Sequence, residues 1–309
     1  MEKVKVRIFE DLRKFINRIS AFDQKFIILS NYFISKKDPV RDIYQNANDF
    51  DYIKNWYNSV QRFNIPSVIF HDGLEFDFIK KYENETIIFI HCKLGTYSLN
   101  DERFFVFKEF ILDLPDDFFV LTTDINDVVI NKNPYPFLAE NCNKLFIGRG
   151  NRKFWKNGIW TLNSLMQFHL KFNKSMPVSF LSYPVFNPGT IGGKKYVILK
   201  LFNQMTEIFD SLSDSGNYDM PVFNYLIKEK YYPIFSFWDG KVPFSLAWNY
   251  CYFRYKLRRK FEFRYHKEKY DIVSHQESVV ENELIYAGFP FVSMFTWYEN
   301  PSDAYLIHK

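Results

Sequence analysis

Cysteine is nearly absent: Cys92, Cys142 and Cys251 are the only three in 309 residues, far apart and in no CxxC or Cys/His pattern. That argues against a disulfide framework or a structural zinc site and suits a reducing compartment. No apolar segment reaches the ~18 residues of a membrane span, and the opening MEKVKVRIFEDLRKF lacks the continuous apolar stretch of a signal peptide. The expectation is a cytoplasmic protein, at most peripheral at a membrane surface. Charge imbalance is small, at a net +4, so no general affinity for nucleic acid is expected from it. Glycine (11) and proline (13) are few, and no repeat or low-complexity tract interrupts the chain. With 47% hydrophobic and 25% charged residues, this is the composition of a folded protein with a substantial core. Phenylalanine (36) and tyrosine (21) are plentiful, but an AT-rich genome would produce the same excess, so no function is read from it.

What is there is alternation. KFIILSNYF (Lys25–Phe33), PSVIFHD (Pro66–Asp72), ETIIFIHC (Glu85–Cys92) and DDFFVLTT (Asp116–Thr123) read as buried strands. DYIKNWYNSVQRF (Asp51–Phe63) repeats apolar residues at helical spacing, and LNDERFFVFKEFIL (Leu99–Leu112) is helical with Asn100 or Asp101 as N-cap. Strands separated by helices predict an α/β fold with a mostly parallel sheet, whose ligand crevice lies beyond the carboxyl ends of the strands. The second half predicts a strand at Asn143–Gly150, helices at Gly158–Phe172 and from near Lys194, and a helix over Asp219–Lys230 with Asp219 as N-cap. No linker separates the halves, so one continuous domain is expected.

Four stretches could carry chemistry. TTDINDVV places Asp124, Asn126 and Asp127 at a strand end, where paired carboxylates hold a hard divalent cation with water and phosphate oxygens. The plain alternative is an Asx turn. FNPGTIGG (Phe186–Gly193) has three glycines that allow close approach to a ligand, or else a strand–turn–helix connection. Asp219 opens a helix, for which capping is the plain alternative. His275 follows a short apolar strand, where a lone histidine is more often structural than a ligand.

In this order the stretches resemble the GT-A fold of nucleotide-sugar-dependent glycosyltransferases. The resemblance is strongest in a helix with N-D-x-R followed by a strand ending in T-D-x-x-D-V, as in the glycosyltransferase domain of collagen lysyl hydroxylases, and it spans roughly Lys25 to Gln276. It implies a Rossmann-like GT-A domain over residues 1–280, with a nucleotide-binding half (25–130), a donor-sugar and acceptor half (131–280), and an extension over 281–309 packed on it. By the same resemblance Asp124 and Asp127 hold Mn²⁺ or Mg²⁺ against the donor diphosphate, and His275 completes the metal site. Asn187 and Gly189 line the donor-sugar pocket, Asp219 lies beside donor sugar and acceptor, Asn31 lies where base and ribose bind, and Arg103 reaches the donor. The commoner motif is D-x-D; here Asn126 stands at the third position, so the reading adopted is D-x-x-D with Asn126 as spacer.

The activity so implied is transfer of a sugar from a nucleotide sugar, a UDP-sugar foremost, to a hydroxyl of a glycan, glycolipid or protein. The tail WNYCYFRYKLRRKFEFRYHKEKY (Trp248–Tyr270) interleaves eight Lys or Arg with nine aromatics. It suits an anionic membrane surface, or nucleic acid, or a solvated face over an aromatic core. Two alternatives stay open at this point: a metal-dependent nucleic-acid-binding or nuclease-like protein, and a GT-A relative that has lost turnover.

Overall fold

Phe26–Tyr32 forms strand β1, and its side chains alternate between two cores. Ile27 and Leu29 enter one hydrophobic cluster, Phe26, Ile28 and Tyr32 the other. A strand with both faces in apolar surroundings needs helices on both sides of its sheet, which explains the unbroken apolar run. The computed structural model describes residues 7–8, 12–153, 159–172, 176–177, 184–212, 214, 216–231, 241–242, 279–281, 284–288, 291–293 and 305–308.

Beside β1 lie β2 (Ser67–His71) and β4 (Phe119–Thr123), and beyond β2 lies β3 (Ile87–His91), all parallel. After β4 come the short β5 (Val128–Ile130), then β6 (Lys144–Lys153) and β7 (Pro184–Lys194). Strands β8 (Val279–Glu281), β9 (Leu284–Gly288), β10 (Phe291–Ser293) and β11 (Leu306–His308) follow. Among the described residues the main sheet has eight strands in the order β8-β9-β6-β7-β4-β1-β2-β3. Strand β7 runs antiparallel to both β4 and β6, and β9 pairs parallel with β6. The architecture is therefore mixed α/β with a mostly parallel central sheet between helices, as expected.

The helices are α1 (Arg13–Ser20), α2 (Phe50–Arg62), α3 (Phe76–Tyr82), α4 (Leu99–Asp113), α5 (Tyr135–Glu140), α6 (Ile159–Phe172), α7 (Lys195–Leu212) and α8 (Asp219–Leu226). Helix α2 lays Ile53, Trp56, Tyr57 and Val60 on one face of the sheet. On the other face, α4 contributes Phe104, Phe107 and Phe110, and α7 contributes Ile198, Leu201 and Phe202. Helix α4 is buried nearly all round, and the buried residues include the ionisable Asp101, Glu102 and Arg103 beside its aromatics.

Three local expectations need correction. The N-cap of α4 is Ser98, whose hydroxyl accepts from the Asp101 N–H at 3.2 Å, not Asn100 or Asp101. FNPGTIGG is not a strand–turn–helix connection but part of β7. There the register passes from Asn187 opposite Gly148 to Ile191 opposite Ile147, leaving 188–190 as a bulge. Asp219 is the first residue of α8, after Tyr218, and its carboxylate accepts from the next N–H, Met220, at 2.7 Å. Helix α3 was not anticipated at all.

Candidate functional site

The carboxyl end of β4 is anchored by side chains from α2 and β1. Trp56 Nε1 donates to Thr123 Oγ1 at 2.7 Å, and Ser30 Oγ donates to the Thr123 carbonyl at 2.7 Å. The chain then leaves the main sheet through Asp124, buries Ile125, and continues at Val128 as β5, which lies in a separate three-stranded sheet in the order β10-β11-β5. This short loop brings carboxylate oxygens of Asp124 and Asp127 to within 4.8 Å of each other.

Strand β11 supplies what they face. It pairs antiparallel with β5, with Leu306 opposite Ile130 and His308 opposite Val128. His308 Nε2 thereby lies 3.6 Å from Asp124 Oδ2 and 3.5 Å from Asp127 Oδ1. One donor atom from each of the three residues falls within 4.8 Å of the others. The bulge in β7 closes the cluster from another side. Asn187 Oδ1 accepts from the Gly189 N–H at 2.8 Å, and the Gly189 carbonyl accepts from the Asp124 N–H at 2.9 Å. A Cβ at Gly189 would stand 2.4 Å from Asp124 Oδ2 and 2.5 Å from His308 Cε1, so only glycine fits.

Arg103, from α4, completes the arrangement. It is buried, and its guanidinium bonds Asp124 Oδ1 through one terminal nitrogen and Asp219 Oδ2, at 3.0 Å, through the other. Asp124 is thus divided: Oδ1 serves Arg103 while Oδ2 faces His308. Asp101, two residues before Arg103, accepts from the Tyr218 N–H at 3.1 Å and so ties α4 to the start of α8.

The charges set the proton affinities. Burial alone would raise the Asp127 carboxyl, but His308, then Arg41 and Arg103, hold it below its ordinary value. Burial would lower His308, yet Asp127 and Asp124 outweigh it and raise the imidazole. Burial raises Asp219, outweighing the pull of Arg103, and burial with the nearby Asp219 raises Asp101 well above the carboxylate range. Arg103 loses by burial and gains more from Asp124 and Asp219, so its guanidinium is held more firmly than usual.

A divalent cation fits this donor set. Two carboxylates and an imidazole suit Mn²⁺, and carboxylate oxygens suit Mg²⁺. Asp127 Oδ1 is buried without a hydrogen-bond donor, Arg103 Nε is buried without an acceptor, and Thr190 Oγ1 is buried without a partner. Buried polar atoms of this kind are few in folded proteins, and those at Asp127 and Arg103 flank one carboxylate cluster.

Of the residues singled out in the sequence, Asp124, Asp127, Arg103, Gly189 and Asp219 come together, with Asn187 shaping the bulge. Asn31 sits at the carboxyl end of β1, half-buried, opposite Phe70. His275 and the basic stretch 248–270 lie outside the described residues. Sequence reasoning missed His308, whose only signal is the apolar pair Leu306-Ile307 before it. It also missed Tyr52, whose hydroxyl is pushed up by burial and then by Asp124 and Asp127. Among the described residues no helix is long and apolar enough to cross a membrane.

No family model matches the sequence, and no curated protein matches it. Among solved structures, the chain is similar to galactosyltransferase LgtC in complex with donor and acceptor sugar analogues, at 15% identity and a TM-score of 0.38, over 65% of this chain and 70% of that one. Mouse xyloside xylosyltransferase 1, in its apo form, matches at 13% identity and 0.36, over 66% and 82%. The 4-diphosphocytidyl-2C-methyl-D-erythritol synthase from Anaerococcus prevotii matches at 13% and 0.36, over 77% and 98%.

Proposed function

We propose that this chain is a glycosyltransferase of the GT-A kind, moving a sugar from a nucleotide-sugar donor to an acceptor hydroxyl with a divalent cation in the Asp124, Asp127 and His308 cluster. One observation carries the reading. Two carboxylates and an imidazole converge beyond the carboxyl end of a central strand, with a buried carboxylate oxygen that lacks a hydrogen-bond donor. Carboxyl ends of parallel strands are where such sheets bind ligands. In this assignment His308 takes the third ligand place that the sequence resemblance gave to His275, and Asn126 is a spacer.

When bound, a divalent cation stabilises negative charge on the departing nucleoside diphosphate. The chain's own residues divide the remaining work. Asn31 contacts the nucleotide, UDP foremost, and Gly189 lets the donor approach the cluster without a side chain between them. Arg103 keeps Asp124 Oδ2 turned toward the cation by holding Oδ1. Asp219 has both oxygens accepting, one from Arg103 and one from Met220 N–H. Its proposed part is therefore electrostatic, opposing positive charge on the anomeric carbon, rather than removal of a proton. The catalytic unit runs over residues 1–280, with 281–309 lending His308, and a glycan or lipid-linked saccharide is its acceptor.

Calorimetric titration with UDP-, GDP- and CMP-sugars in the presence and absence of Mn²⁺ tests this. Binding of one donor that requires the cation, followed by release of its nucleoside diphosphate with acceptor, is the expected result. Indifference to every donor and to Mn²⁺ would remove the proposal. Cation-dependent binding without turnover would leave a GT-A relative that has lost its activity.

A further inference from the structure

The first turn of α4 buries three successive ionisable residues, Asp101, Glu102 and Arg103. The first and third belong to the candidate site; Glu102 does not. Its Oε2 accepts from Arg7 Nε at 2.8 Å, its Oε1 accepts from the Tyr97 N–H at 3.0 Å, and Lys36 Nζ lies 3.7 Å from Oε1. Arg7 is itself pinned. The N–H groups of Arg7 and Ile8 both donate to the Glu109 carboxylate at 2.8 Å, and the Arg7 guanidinium lies 4.2 Å over the Phe105 ring. Lys36 comes from the segment after β1 and donates to the carbonyls of Gly95, at 2.7 Å, and Tyr97. That segment is fixed at its start, where Asp72 accepts from the Ile34 N–H at 2.7 Å and the Ser35 N–H at 3.1 Å. Gly95 makes room for the cluster, since a Cβ there would stand 2.7 Å from Glu102 Oε1.

A buried ionic cluster is an inefficient source of stability, because desolvation offsets most of the attraction. What it supplies is placement. Arg103 must meet carboxylates from two other elements with one planar guanidinium, a task spoiled by displacements of about 1 Å. We propose that Glu102 is a positioning residue that couples the segment after β1 to the acidic cluster. By fixing the first turn of α4 through Arg7, Lys36 and Tyr97, it sets where Arg103 and Asp101 meet Asp124, Asp219 and the start of α8. The consequence for cation binding rests on the function proposed above; the coupling itself does not.

The paired variant Arg7→Met/Glu102→Gln removes the ion pair without stranding a buried charge. Lys36→Met removes the tether at a half-exposed position, and Lys36→Arg restores the cation. Amide exchange of the metal-free protein is read at Tyr218, whose N–H bonds Asp101, and at Met220, whose N–H bonds Asp219. Expected are exchange about tenfold faster at both amides in the paired variant, about threefold in Lys36→Met, and near wild type in Lys36→Arg, with β1 unchanged. A merely local role would quicken Tyr97 and Ile8 but leave Tyr218 and Met220 as they are, and that overturns the coupling. Mn²⁺ affinity is expected to fall about tenfold in the paired variant, the scale seen for partners that orient metal ligands. Unchanged affinity in a folded variant, where the wild type binds, also overturns it. A wild type that binds no Mn²⁺ ends the cation reading, while exchange at Tyr218 and Met220 still decides the coupling. Should the paired variant fail to fold, the two Lys36 variants decide by the same criterion.

Discussion

Two groups of buried charge sit within one helical turn of each other and are built to opposite rules. Around Glu102 every carboxylate oxygen has a donor: Arg7 on one, Tyr97 N–H on the other. Around Asp127 the charges are matched only loosely, with His308 at 3.5 Å and Oδ1 lacking a hydrogen-bond donor. A carboxylate is in one place a brace and in the other, on the function proposed above, a ligand. At Glu102 complete satisfaction serves the scaffold, whereas at Asp127 a buried oxygen without a donor is open to a ligand.

The sharpest way to break that contrast is to strip one charge from each group. Glu102→Ala should destabilise the protein by about 3–5 kcal/mol, because it strands the buried Arg7 guanidinium, measured by urea denaturation. Asp127→Asn should do the reverse: the fold survives with little change, while Mn²⁺ affinity drops by about a hundredfold and transfer is lost with it, as a half-buried carboxylate only loosely paired with His308 is replaced by a neutral isostere. Comparable instability in both variants would erase the distinction between brace and site. Gly189→Ala belongs with Asp127→Asn, since its methyl would enter the space between Asp124 and His308. It should weaken Mn²⁺ at least tenfold at a smaller cost to the fold.

The pH dependence of the metal-free protein sharpens the comparison further. His308 is raised above its ordinary 6.5, so the stability it contributes is complete below pH 6.5 and is lost as pH rises through the raised value. Asp127 is lowered from 3.8, so its contribution is present above that pH and is lost as the solution is acidified through the lowered value. Deprotonating the raised Asp101 acts in the same direction as His308. The His308 share is therefore the difference between wild type and Asp127→Asn in Tm from pH 6 to pH 9. A wild type whose decline matches that of the variant would show that the Asp127–His308 pair contributes nothing. The smallest effect expected is that of Ser98→Ala, about 1 kcal/mol from loss of the α4 cap, with little change in cation affinity.

Much of this was legible in the chain, and the remainder has physical reasons for being hidden. Buried strands such as Phe26–Tyr32 announce themselves because both faces must be apolar. Asp124 and Asp127 stand out because carboxylates at the end of such a strand have little reason to be there. Helix α3 went unseen because it has seven residues and opens on Phe76, which is 73% exposed and blurs the helical period. The three glycines near 190 signalled a close approach but not its form, since a bulge depends on the register of the partner strand. His308 was invisible for the same reason: a three-residue strand acquires meaning only from β5, which precedes it by most of the chain.

That separation has a consequence for how the protein is made. The acidic loop and the parallel strands β1 to β4 are complete in sequence by Ile130, whereas the imidazole that faces the loop arrives with His308. On a ribosome, the sheet's first four strands can form long before the third donor atom exists. On the function proposed above, all three donors can grip a cation only after synthesis has passed His308 and β11 has paired with β5.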